Sequence, residues 1–218
     1  MDDDRSEHAS AEDTTFVAPM FPLGTVLFPH AVLPLHVFEP RYRALVADCL
    51  AGDARFGVVL IERGHEVGGG DARFGIGTMT QIVQADEMPD GRWGLVTVGT
   101  ERITVHEWLV DDPYPRARVS TRVDPEPARD ATPAIEAART ALVRVHALRA
   151  ELGLPAHSGD MLVSDDVERA SYEAAILAPL GPLDAYALLD LDDPVDRLVR
   201  TAELLQGEIE VLQFRLSG

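Results

Sequence analysis

The sequence contains no lysine: all 19 basic residues are arginine, against 37 acidic residues and a formal net charge of −18. A nucleotide-binding P-loop places a lysine against the phosphates, in the pattern GxxxxGK[ST]. A Ser–Lys catalytic dyad and a lysine Schiff base depend on the same side chain. The sequence therefore excludes these three kinds of site.

Cysteine and long apolar runs are also scarce. Cys49 is the only cysteine, so no disulfide forms within the chain, and this usage fits a reducing compartment. No apolar run approaches the roughly 18 residues of a membrane span, and the N-terminus is acidic and polar, unlike a signal peptide. We therefore expect a cytoplasmic protein without membrane contact, in which Cys49 is a buried structural thiol.

The excess of acidic residues restricts the partners. Proteins that bind nucleic acids neutralise phosphates with clustered cations, and anionic membranes attract basic segments. Arg116, Arg118 and Arg122 form one local basic cluster on a predicted strand. Because the net charge of the whole chain is −18, nucleic acid is nevertheless a disfavoured partner.

Known catalytic and metal-binding motifs are missing. His65-Glu66 is not followed by the second histidine of HExxH, and no serine lies in a GxSxG motif. Gly75-Ile76-Gly77 lacks the third glycine of a dinucleotide site. We predict no catalytic residue, no metal and no cofactor, and keep an uncharacterised hydrolase as a less favoured alternative.

The stretch from Met20 to Tyr42, MFPLGTVLFPHAVLPLHVFEPRY, organises the rest of the chain. Its apolar runs, Val26–Phe28 and Val32–Phe38, predict two short strands. Prolines cannot donate ladder hydrogen bonds, so these strands should be edges or bends. The prolines concerned are Pro22, Pro29 and Pro34.

A short helix is predicted directly after this stretch. Pro40 suits the first helical position and Gly52 the position after the last. Between them one helical face is apolar. That face carries Tyr42, Leu45, Val46 and Cys49.

Further strands and turns predict a barrel. The strand-like segments are Arg55–Arg63, Phe74–Glu87, Gly94–Trp108 and Pro115–Val123. A glycine-rich stretch, 64–73, predicts a flexible loop, and Asp90-Gly91 a tight turn. Six or so short strands with one small helix predict a closed or nearly closed barrel.

Helical periodicity begins after a proline- and charge-rich connector. Apolar residues repeat every three or four positions from Ile135 to Leu152, and again from Val195 to Leu216. Shorter helices are predicted at 171–177 and 183–191, with a polar loop at 156–166. We expect the α+β class with four parts: a disordered acidic tail (1–15), a barrel domain (16–123), a linker (124–133) and a helical bundle (134–218).

The Met20–Tyr42 stretch closely resembles the opening of the Lon protease N-terminal, substrate-binding domain. The resemblance continues through later segments and covers most of residues 17–217. These segments are Asp53–Ile61, Glu66–Gly68, Gly75–Thr78, Gly99–Arg102, Pro179–Leu189 and the last helix. It implies a PUA-like β-barrel followed by a helical bundle, here as a free-standing relative without the ATPase and Ser–Lys protease modules of full Lon proteases.

Seven residues of this stretch are the candidate peptide- or partner-binding residues. They are Phe28, Pro29, His36, Phe38, Glu39, Arg41 and Tyr42. Aromatics beside prolines and turns can line a shallow apolar groove, and a proline-marked strand edge can accept an extended peptide. The alternative interpretation is that Phe38 and Tyr42 anchor the helix on the barrel and that Glu39 pairs with an arginine.

The resemblance and the missing motifs together favour a non-catalytic binding protein. We expect it to hold exposed apolar or unfolded segments, or a partner protein, and it could work with a separate protease. Small-molecule binding in a barrel-side pocket is the alternative.

Overall fold

Six strands form one sheet in the N-terminal half of the chain. The computed structural model describes residues 14–63, 72–157 and 163–217. The strands are β1 (Phe16–Leu23), β2 (Val32–Val37), β3 (Arg55–Arg63), β4 (Ala72–Glu87), β5 (Trp93–Trp108) and β6 (Arg116–Arg122). Most of the predicted tail, most of the glycine-rich loop and half of the polar loop lie outside the described residues.

The sheet closes into a barrel, as predicted. The strand order is β2-β5-β4-β3-β1-β6, and β6 also pairs with β5. The long β5 makes closure possible, because its first half pairs with β2 (Trp93–Val98) and its second half with β6 (Arg102–Trp108). Among the described strands, β2 therefore pairs with β5 alone.

The prediction of a strand at Val26–Phe28 is wrong, and β1 was not predicted. Residues 24–31 form the loop between β1 and β2. Leu27 and Phe28 are buried without belonging to a strand, and this burial explains the apolar run. The Thr78 hydroxyl holds the loop by donating to the Leu27 carbonyl at 2.6 Å.

Gly99 lets this loop approach β5 closely. The Gly99 carbonyl accepts from the His30 amide at 2.8 Å, and the Gly99 amide donates to Ala31 at 2.9 Å. A Cβ on Gly99 would clash with the Phe28 carbonyl oxygen.

We therefore expect Gly99→Ala to lower the free energy of unfolding by about 1–3 kcal/mol, the usual cost of overpacking. Urea denaturation measures this, with Gly75→Ala as the control because nothing lies near its Cβ; equal losses would contradict the argument.

The predicted short helix, α1 (Pro40–Ala51), packs against the barrel with the expected face. Tyr42, Leu45, Val46 and Cys49 are all buried. Burial, followed by the charges of Asp53 and Asp48, raises the pKa of the Cys49 thiol to about 12. The thiol is therefore protonated and unreactive at neutral pH.

Four helices follow the barrel: α2 (Thr132–Glu151), α3 (Val167–Leu177), α4 (Pro182–Asp190) and α5 (Pro194–Ser217). Asp193 precedes α5 and accepts from the Val195 amide at 2.7 Å, which is the contact of an N-cap residue. The apolar face of α5 packs on α2 as far as Leu212. In the described residues, no helix is both long and apolar enough to span a membrane.

A buried group of charged and polar side chains joins the barrel to the helices. We call Arg102, Asp124, Tyr172 and Arg197 the arginine network. Asp124, which follows β6, accepts from Arg102 on β5, from Arg197 on α5 at 2.8 Å and from the Tyr172 hydroxyl on α3 at 2.8 Å. The predicted linker therefore begins with a residue that is packed in the interior.

Main-chain carbonyls complete the network. Arg102 Nη1 donates to the carbonyls of Leu189 at 2.8 Å and Leu191 at 3.0 Å. Arg197 donates to the Leu188 and Leu191 carbonyls at 3.2 and 2.5 Å. The end of α4 is thus bound by one arginine from the barrel and one from α5.

Candidate functional site

A pocket of about 130 Å³ lies where the end of β1, the end of β2 and the start of α1 meet. Its lining residues are Phe21, Leu23, Leu35, His36, Val37, Phe38, Glu39 and Tyr42. Four of the seven predicted site residues are among them. β1 and β2 do not pair with each other within the described part of the sheet, so the pocket separates two strand ends.

Stacked aromatic rings form the buried side of the pocket. The rings of Phe21 and Tyr42 are 4.1 Å apart with an interplanar angle of 14°. Phe56 packs beside Phe21 at 5.9 Å. Tyr42 therefore anchors α1 on the barrel, as the alternative interpretation predicted, while its ring also contributes to the pocket.

Glu39 and Arg41 form an ion pair at the rim of the pocket, where Glu39 is a lining residue and Arg41 is not. Arg41 Nε donates to Glu39 Oε2 at 3.1 Å. The Arg41 guanidinium also lies over the Tyr42 ring, 4.5 Å from the centroid. The predicted pairing of Glu39 with an arginine is confirmed, and the pair fixes the turn from β2 into α1.

Phe38 does not anchor the helix. Its side chain is 54% exposed, and His36 is exposed beside it. Because Phe38 also lines the pocket, an apolar rim continues from the pocket to solvent. An apolar recess with an exposed aromatic residue at its rim is typical of a binding site.

Phe28 and Pro29 lie elsewhere, which corrects the predicted grouping. Phe28 is only 4% exposed and packs between barrel and helices, near Tyr172. Pro29 lines a separate pocket of about 130 Å³ beside the arginine network. The loop between β1 and β2 leads into the start of β2, whereas the pocket lies at its other end. Neither residue therefore lines that pocket, which we call the Phe21–Tyr42 pocket.

Sequence reasoning missed half of the pocket. Phe21, Leu23, Leu35 and Val37 carry no distinguishing signal, because apolar residues at these positions also fit an ordinary strand core. Only the fold shows that the ends of β1 and β2 leave space between them.

The described lining of the pocket contains no serine, threonine or cysteine. Within residues 14–63, 72–157 and 163–217, no group of three His, Cys, Asp or Glu side chains is placed to hold a metal. His106 Nε2 lies 2.8 Å from Ser120 Oγ on the neighbouring strand. Ser120 is only 3% exposed, whereas a catalytic serine must reach its substrate, so this contact is better explained as a link between β5 and β6.

Comparison with known proteins identifies the family. Residues 17–207 match the family model described as the ATP-dependent protease La (LON) substrate-binding domain. Lon protease 2 of Herpetosiphon aurantiacus is 29% identical over 207 residues, which is 92% of this chain but 25% of that protein. Lon protease of Cytophaga hutchinsonii is 26% identical over 211 residues, 94% of this chain and 26% of that protein. The chain therefore spans about a quarter of the length of these relatives.

Solved structures show the same fold. The Lon N-terminal domain protein from Xanthomonas campestris superposes with a TM-score of 0.59 at 30% identity, covering 84% of this chain and 95% of that one. The N-terminal domain of Mycobacterium avium complex Lon protease gives 0.60 at 16% identity, over 89% and 98% of the two chains. The barrel followed by helices is thus the architecture of these domains, and the chain belongs to the Lon substrate-binding domain family.

Proposed function

We propose that this chain is a non-catalytic recognition module that binds extended apolar segments of unfolded or partner proteins at the Phe21–Tyr42 pocket. The observation that carries the proposal is the pocket itself, an apolar recess with an exposed phenylalanine at its rim. Family membership supports substrate recognition in general, and the apolar lining of the pocket supports the proposal that the substrate is an apolar segment.

The size of the pocket favours a side chain over a metabolite. Its volume is about 130 Å³. Apolar cavities of about 150 Å³ bind benzene, whereas sites for larger small molecules occupy roughly 300–1,000 Å³. One aromatic or branched side chain therefore fits, and the rest of the bound segment lies outside.

The surrounding chemistry is consistent with binding without catalysis. The absence of lysine removes the Ser–Lys and Walker A chemistries. We propose that any proteolysis of a bound client is performed by a separate protease, and that the protein acts in the cytoplasm. The net charge of −18 favours clients with basic residues beside the apolar one and disfavours nucleic acid.

Replacing Phe38 with aspartate tests the site. We expect affinity for fluorescein-labelled, reduced and carbamidomethylated lysozyme, an unfolded basic protein, to fall by about tenfold or more, because an aromatic anchor at the rim is lost. Fluorescence anisotropy measures the affinity. Stability should change by no more than about 0.5 kcal/mol, since the side chain is half exposed.

Phe214→Asp is the matched control, because Phe214 is 79% exposed on α5, away from the pocket. Wild-type affinity is expected for it. Equal losses in the two variants would show that binding follows general surface hydrophobicity and would contradict the pocket as the site. No binding by the wild-type protein would contradict the proposed function.

A further inference from the structure

The backbone of β2 has one edge facing β5 and a second edge, called the free edge, that pairs with no strand of the described residues. The Ala31 carbonyl accepts from the Gly99 amide at 2.9 Å, and the Leu33 carbonyl accepts from the Thr97 hydroxyl at 3.1 Å. Odd-numbered residues of this segment therefore direct their backbone groups toward β5. Backbone direction alternates along a strand, so Val32, Pro34 and His36 direct theirs to the free edge.

The free edge runs past the Phe21–Tyr42 pocket. Leu35 and Val37, whose side chains point inward, line the pocket with Phe21 and Tyr42. In a strand added to this edge, the residue opposite Leu35 has its side chain on the same face as Leu35. That side chain faces the pocket, while the two flanking residues of the added strand lie opposite Pro34 and His36.

Pro34 limits which strands can pair here. Its carbonyl accepts one hydrogen bond at the free edge, but its nitrogen donates none. A client strand paired here therefore forms one backbone hydrogen bond fewer than it would with a residue other than proline at position 34. Two copies of the chain paired through β2 lose two, because each copy brings its own Pro34.

We propose, resting on the function proposed above, that a client segment binds as an antiparallel strand on the free edge of β2 with one apolar side chain in the pocket. The same Pro34 opposes pairing between two copies of this chain. The ligand class is an extended segment of another protein with a single apolar anchor, and its backbone amides on either side of the anchor contribute hydrogen bonds.

Backbone N-methylation tests the hydrogen bonds. The probe is a fluorescein-labelled peptide, Lys-Thr-Val-Thr-Phe-Thr-Val-Thr-Lys, with capped ends. Methylating the amide of either threonine beside the phenylalanine removes one bond and should weaken binding about fivefold. Methylating the phenylalanine amide should leave the affinity within about twofold, because this amide points away from β2.

Equal losses at all three positions, or loss at the phenylalanine alone, would overturn the strand-addition mode. The mode is also overturned if the unmodified peptide fails to bind where unfolded lysozyme does bind. In that case the proposed function would survive. Failure of both probes would contradict the function itself.

Pro34→Thr tests the second part in the full chain. The variant restores a donor at the free edge, so we expect peptide affinity to rise about fivefold and a concentration-dependent dimer to form in analytical ultracentrifugation. Val32→Thr is the control, because it changes the same strand face and leaves the backbone donors of the edge unchanged. We expect it neither to raise peptide affinity nor to form a dimer. Unchanged affinity and a monomeric Pro34→Thr variant would overturn the role of Pro34.

Discussion

Replacing Asp124 with asparagine is expected to lower the free energy of unfolding by about 3–5 kcal/mol, the cost of breaking a buried ion pair from one side. The Asp124 side chain is 3% exposed, and it contacts two guanidinium groups that are fully buried. Without its negative charge, Arg197 loses its carboxylate partner among the described contacts. For Arg102, the carboxylate partner that remains among the described contacts is Asp192, whose side chain is about half exposed.

The remaining partners cannot compensate for this change. The bonds from Arg102 and Arg197 to backbone carbonyls persist, but carbonyls do not neutralise the charge. An asparagine would also direct its NH2 group toward one of the two guanidinium groups, which only donate hydrogen bonds. Both effects destabilise the junction between barrel and helices.

Urea denaturation followed by far-ultraviolet circular dichroism measures the loss. Asp196→Asn is the matched control, because Asp196 pairs with Arg129 on the surface, where both side chains are about half exposed. Exposed pairs contribute at most about 1 kcal/mol. Similar losses for the two variants would show that the arginine network is not a major source of stability.

Phe28→Ala is expected to have an effect of the same size, about 3–5 kcal/mol, from lost burial and the cavity that remains. The Phe28 ring packs with Ile76 of β4 and with Leu188 and Leu189 of α4. It lies 6.5 Å from the Tyr172 ring, measured between centroids. The residue therefore stabilises the same junction as the arginine network, by apolar contact.

Phe38→Ala provides the control for Phe28→Ala, because it removes the same side chain from the surface of the same chain segment. We expect less than about 0.5 kcal/mol for it. Thermal and urea unfolding of the two variants should differ accordingly. If Phe38→Ala proved as destabilising as Phe28→Ala, the assignment of one residue to the interior and the other to the binding rim would be wrong.

Most elements could be predicted from the sequence because their signals are local. Pro40 and Gly52 bound α1, as their positions in the sequence indicated. β1 was missed because Pro19 and Pro22 resemble strand breakers. Both are accommodated: Pro19 pairs at the last residue of the β1–β6 ladder, and Pro22 aligns with Val59 in the parallel ladder with β3.

The arginine network and the shape of the site could not be predicted in the same way. Arginine and aspartate are normally exposed, and nothing near Arg102 or Arg197 indicates that they meet across the fold. Phe28 and Phe38 lie in similar local sequence, beside prolines, yet one is buried and one exposed. Burial of this kind is decided by the packing of distant elements, for which a single sequence carries no local signal.

The length of β5 has a structural consequence. Its first half holds β2, where we place the client, and its second half carries Arg102, which is bonded to the end of α4. The strand that holds the proposed binding edge is thus the same strand that is bonded to the helices. In the described residues the proposed binding edge and the end of α4 are therefore joined through one strand and one buried arginine.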